Sequence, residues 1–148
     1  RLFVQLPCAT VKKQNVAARA FIEEARKIGL NIVIDGLDNR AIGINELQGI
    51  DAAYFAIDCH SQVDAAGNKV DEAALRGAIA MAKDLRTPTI ARGVESADIF
   101  SVLWGVGVDY IQGDYLSPAL DSPDHNFSEE QTLSSDAASP AFNRQAAG

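Results

Sequence analysis

The chain has 148 residues, 47% of them hydrophobic, enough for one sizeable core and one domain. Thirteen Lys and Arg against twenty Asp and Glu give a formal net charge of -7, which argues against duplex nucleic acid or anionic membrane as partners, since both are bound by clustered cations that neutralise phosphate. No apolar run approaches the roughly 18 residues needed to span a bilayer, and residues 1–6 are too short for a signal-peptide core, so no membrane insertion and a cytoplasmic location are expected.

Strand and helix signals alternate. A first strand is expected at residues 2–6, followed by a helix with Thr10 as its cap. Its apolar positions Val16, Ala20, Phe21, Ala25 and Ile28 follow helical spacing, Glu23 and Lys27 pair on its outer face, and Gly29 stops it. A second strand ends at Asp35. A short helical segment near residues 42–47 leads to a third strand at 54–57, and residues 61–71, with Gly67-Asn68, read as a polar loop. A helix over 72–85 carries Leu75, Ala78, Ile79, Ala82 and Leu85 on one face, and Asp71, Glu72 and Asp84 read as its charged face. The fourth strand is expected at 87–91. Ser96 caps the next helix with Ile99 at its N3 position, Phe100, Leu103 and Trp104 form its buried stripe, and Gly105 and Gly107 end it before a fifth strand. From Ser122 the composition turns to Ser, Asp, Ala and Pro. Residues 122–148 read as a polar, weakly ordered tail with a short helix capped by Ser128, and residues 1–121 as the folded unit.

Strands 20 to 35 residues apart with helices between them imply right-handed βαβ units and a parallel sheet. Five such units are too few for a closed barrel of about 250 residues, and a flavodoxin-like open sheet fits the length equally well. The placement of polar residues favours part of a barrel. Asp35, Asp58, Glu95 and Gln112 each follow an apolar strand run, the pattern of side chains presented at a barrel mouth, whereas an open sheet concentrates its site at one switch point. Taken singly, each is also an ordinary loop residue. Neither GxGxxG nor GxxxxGK[ST] occurs. Cys8 and Cys59 lack metal-ligand spacing and read as buried thiols, His60 and His125 read as solvated loop residues, and Asp114 and Tyr115 read as ligand contacts or rim.

Ile32-Val-Ile-Asp35, Phe55-Ala-Ile-Asp58, Gly93-Val-Glu-Ser96 and Asp109-Tyr-Ile-Gln-Gly113, in that order, resemble the C-terminal portion of an EAL domain. The resemblance covers residues 2–120 and implies the fold class α/β, specifically about the last five βα units of a TIM-type (β/α) barrel. It also implies a cyclic di-GMP ligand, hydrolysed in active members with two metal ions. The family's Glu-Ala-Leu segment and its asparagine-bearing strand are absent here. By the same resemblance Gln5 stands where active members carry a metal-binding glutamate, and Asp35-Gly36 replaces an Asp-Asp pair. Ala56 replaces the lysine of Lys-x-Asp, and Arg92-Gly-Val-Glu95 replaces Glu-Gly-Val-Glu.

Leu2-Phe-Val-Gln-Leu6, Ala18-Arg-Ala-Phe-Ile22, Val94-Glu-Ser-Ala97, Leu103-Trp104 and Tyr110-Ile-Gln-Gly113 are similar to a catalytically silent receptor branch of that family, linked to type IV pili and twitching motility. The expectation is a receptor with no catalytic residue and no required cofactor. Gln5, Asp35, Asp58, Arg92, Glu95, Gln112 and Gly113 would bind ligand, Glu95 at a guanine edge and Arg92 at a phosphate. A PilZ-type adaptor, and either the N-terminal half of the barrel or a dimer mate, are the implied partners. The alternatives are an active phosphodiesterase using Mg²⁺ or Mn²⁺ and a scaffold that binds no ligand.

Overall fold

A computed structural model describes residues 2–61 and 71–116. Five parallel strands, β1 (Phe3–Pro7), β2 (Asn31–Asp35), β3 (Tyr54–Asp58), β4 (Thr89–Arg92) and β5 (Tyr110–Gln112), pair in chain order. The helices are α1 (Cys8–Lys13), α2 (Asn15–Lys27), α3 (Ile44–Leu47), α4 (Glu72–Asp84) and α5 (Ala97–Val106). Sequential order without a switch point is barrel order. A doubly wound open sheet would reverse direction once, so the partial-barrel expectation holds and the flavodoxin-like one does not.

Strand alternation divides the side chains between two faces. Ile32, Ile34, Phe55, Ile57 and Ala91 point to the helical layer and join Leu75, Ala78, Ile79, Ala82 and Leu103 in one core. Gln5, Val33, Tyr54, Ala56, Ile90 and Arg92 line a groove of about 450 Å³ on the opposite face, bounded by Phe3 and Tyr110. Rings of Phe3, Tyr54 and Tyr110 run across it, with centroids 5.9 Å and 5.5 Å apart. The foot of the sheet is fixed by polar bonds. Asp109 Oδ2 accepts from the main-chain N–H of Thr89 at 2.7 Å and from its hydroxyl at 2.8 Å, which satisfies a fully buried threonine.

Helix α4 matches its expected face, and Asp71 caps it by accepting from Ala74 N–H. Ser96 caps α5 with a bond from Ile99 N–H, and Gly29 has the positive φ expected beyond α2. Other expectations fail for identifiable reasons. The first helix begins directly after β1 and breaks at Gln14 (φ -131°, ψ 47°), so Thr10 lies inside α1 and caps nothing. Helix α2 buries Ala18, Ile22 and Ala25, while Val16 is 85% and Ile28 76% exposed. Its many alanines make two faces nearly equal in apolarity, and sheet contact selects the other one. Lys27 pairs with Glu24, one turn back, instead of Glu23. Trp104 is exposed, stacked on Phe100 at 6.1 Å, and Gly105 lies within α5, leaving Gly107 (φ 77°) as the terminator. The expected loop at Gly67-Asn68, His125 and the tail with Ser128 lie outside the described residues.

Among the described residues β1 and β5 each pair on one side only, next to a groove holding three aromatic rings. Unpaired edges beside exposed apolar surface drive association. Residues 1–148 alone should therefore elute in light-scattering chromatography as a dimer or larger species. A monomer that unfolds cooperatively would show the sheet to be self-sufficient.

Candidate functional site

At the C-terminal ends of β3, β4 and β5, Asp58, Arg92, Gly93, Gln112, Gly113 and Asp114 line a cleft of about 320 Å³. The register explains the gathering. Asp58 is level with Arg92 and Arg92 with Gln112, so three neighbouring strands present one polar row at their ends. Asp35 lies one pleat lower, level with Ala56. Arg92 reaches down and across β3 to make an ion pair with the Asp35 carboxylate, and Ala56, the residue between them, is small enough to leave that route open. Arg92 Nε is buried and makes no hydrogen bond, so this guanidinium retains donor capacity beyond Asp35.

Gly113 permits the close approach of the two loops that close the cleft. A Cβ there would lie 2.2 Å from the carbonyl oxygen of Val94, which itself accepts from Tyr115 N–H at 3.1 Å. Tyr115 turns away from the cleft onto Phe100, with ring centroids 6.0 Å apart, whereas Asp114 is part of the lining. Gln5 sits deeper, on the wall of the adjoining groove, and Gly36 (φ 72°) follows Asp35 without a side chain. Glu95 stands on the loop after β4, exposed at the rim, and its Oε1 is 3.4 Å from Nε2 of His60. Of the residues expected at the site, Asp58, Arg92, Gln112 and Gly113 share the cleft, Asp35 joins through its ion pair, and Gln5 and Glu95 border it.

His60, read from the sequence as a solvated loop residue, is indeed exposed, but it also borders the site. Its main-chain N–H donates to Asp58 Oδ1 at 3.0 Å, and its ring covers Gly93. The available signal was a strand-ending Asp two residues before the His, the spacing of an Asx turn that folds the chain back toward the site.

Donor chemistry decides what the cleft can hold. Among the described residues no three His, Cys, Asp or Glu side chains group closely enough to bind a metal ion. The centre instead carries a guanidinium already matched to one carboxylate. Cys8 and Cys59 add no nucleophile. Burial, aided by Asp35 and Asp38 for Cys8 and by Asp58 for Cys59, raises each thiol to about 11, leaving both protonated at neutral pH.

Residues 1–119 match the EAL domain family. The chain belongs to the EAL family. This EAL chain is similar to the FimX EAL domain from Pseudomonas aeruginosa solved bound to c-di-GMP, at 26% identity and a TM-score of 0.66, over 78% of the chain and 48% of that structure. Another FimX EAL domain structure aligns at 25% identity and a TM-score of 0.70, over 85% and 50%. The PaMucR phosphodiesterase in complex with c-di-GMP shares the fold at 22% identity and a TM-score of 0.68, over 78% and 52%. Among curated proteins, none matches the chain. The chain thus spans about half the length of these solved structures, and the resemblance to an EAL domain, and to FimX EAL domains among them, is borne out. No helix among the described residues is long and apolar enough to cross a membrane.

Proposed function

We propose that this EAL chain is a receptor for cyclic di-GMP that binds the dinucleotide without metal ions and leaves it intact. The ion pair between Arg92 and Asp35 carries the reading, because it puts a tethered cation where a hydrolase of this family would need free carboxylates. The likeness to a FimX EAL domain bound to c-di-GMP supports the choice of ligand. Asp58, Arg92, Gln112 and Gly113 would meet the sugar-phosphate ring, Glu95 the Watson–Crick edge of a guanine, and Gln5 and Asp35 the floor. Because Asp58 and Asp114 line the cleft with a guanidinium already matched by Asp35, base recognition and hydrogen bonding rather than net charge must supply most of the affinity. The same reading makes signalling to type IV pili and twitching motility the downstream role. A PilZ-type adaptor would be the protein partner, the N-terminal half of the barrel or a dimer mate would complete the pocket, and the cytoplasm would be the compartment.

Calorimetric titration of Glu95→Gln tests it. The variant should lose about 1 to 3 kcal/mol of cyclic di-GMP binding, the value of a charge-assisted bond, and most of its preference over cyclic di-AMP. Unchanged affinity would remove Glu95 from the site, and no binding heat from either protein would favour a scaffold that binds no ligand.

A further inference from the structure

Histidine 60 is built into the rim by three independent features. The Asp58 carboxylate fixes its main chain at 3.0 Å, and Ser61 closes the same turn by donating its hydroxyl to the Asp58 carbonyl at 2.8 Å. Its imidazole then lies over Gly93, where a Cβ would stand only 2.4 Å from Cδ2 and 2.5 Å from Nε2. Only a glycine at φ 72° leaves that seat free. Seated there, the ring places Nε2 3.4 Å from Glu95 Oε1. Arg92, next to the glycine, directs its guanidinium to Asp35; among the described residues the charged groups placed near His60 include Glu95, Asp58 at its own main chain, and Arg40, which donates to the Ser61 carbonyl at 3.2 Å.

We propose that His60 is the positioning residue of Glu95, holding one carboxylate oxygen at the rim so that the other is presented to the ligand's base. The inference rests on the reading of Glu95 as the guanine contact. A carboxylate on an exposed loop otherwise samples several rotamers, and a guanine offers two adjacent N–H donors that one fixed orientation satisfies best. The imidazole therefore acts on selectivity more than on fold. Its effect is limited to the few-fold that an exposed pair delivers.

A double-mutant cycle on the full chain, titrated calorimetrically with cyclic di-GMP and cyclic di-AMP, tests the assignment. His60→Ala should lower the guanine-over-adenine preference about threefold to fivefold. His60→Gln, whose amide nitrogen replaces Nε2, should keep it, and His60→Ala should have no further effect in a Glu95→Gln background. An unchanged preference in His60→Ala, or an equal loss with and without Glu95, overturns the inference. A ligand-free arm separates it from the ligand assignment. In a pH scan the Glu95 carboxyl carbon-13 signal should show a step that follows protonation of the His60 ring, absent in His60→Gln. If neither dinucleotide binds, the receptor reading falls while this step still supports the pairing. A Glu95 signal blind to His60 overturns the inference.

Discussion

Incubated with cyclic di-GMP and millimolar Mg²⁺ or Mn²⁺, the protein should release no linear dinucleotide. Two-metal hydrolysis requires several carboxylates holding a pair of ions roughly 3.5 to 4 Å apart, one of them activating water. Here Gln5 is a neutral amide on the groove wall, Gly36 has no side chain, and the Asp35 carboxylate is engaged by Arg92. Among the described residues Asp58 is left as the one carboxylate lining the cleft from a strand, with Asp114 on the loop after β5 and Glu95 out on the rim beside His60. A divalent ion would also have to approach a fixed guanidinium. Rate enhancement that depends on such a cluster, at least about a millionfold in enzymes generally, should be absent altogether. Product that accumulates and stops on adding EDTA would contradict this.

Arg92→Ala should show the second large effect. It strips the counter-charge from Asp35, whose side chain is only 25% exposed, and removes donors from the cleft in one step. Breaking a partly buried pair by deleting one partner costs about 1 to 3 kcal/mol, moderated by the water that still reaches both groups. The urea midpoint should fall accordingly, and Asp35→Asn in the same background should recover part of the loss because no unpaired charge remains. Binding of cyclic di-GMP and cyclic di-AMP should weaken alike, by about tenfold for one lost charge-assisted bond, since Arg92 reads no base. A selective loss of the guanine ligand would assign Arg92 a different role.

Much of this architecture was legible because each strand is an apolar run closed by a polar residue, and chain-order pairing is what successive βαβ units produce. Asp58 and Gln112 could be placed at one end for that reason. The pairing of Arg92 with Asp35 could not, because 57 residues separate them, and their meeting depends on a one-pleat offset and on the small Ala56 between them. Residues that local pattern leaves ambiguous were misplaced. Val16 and Ile28 sit on an alanine-rich helix whose two faces compete, and Trp104 has the spacing of a core residue but is exposed. His60 reads as a solvated loop residue, and its side chain is exposed; what local pattern cannot show is its neighbours. Its place beside the Gly93 seat and Glu95 depends on the loops after β3 and β4 meeting in the fold.

The central claim, ligand binding without metal, is tested most directly by titrating cyclic di-GMP into the full chain twice, in excess EDTA and in millimolar Mn²⁺, and then analysing the recovered nucleotide. The expected result is the same dissociation constant in both titrations, with the cyclic dinucleotide recovered intact. Binding heat seen only with Mn²⁺, or linear dinucleotide in the recovered sample, would contradict it.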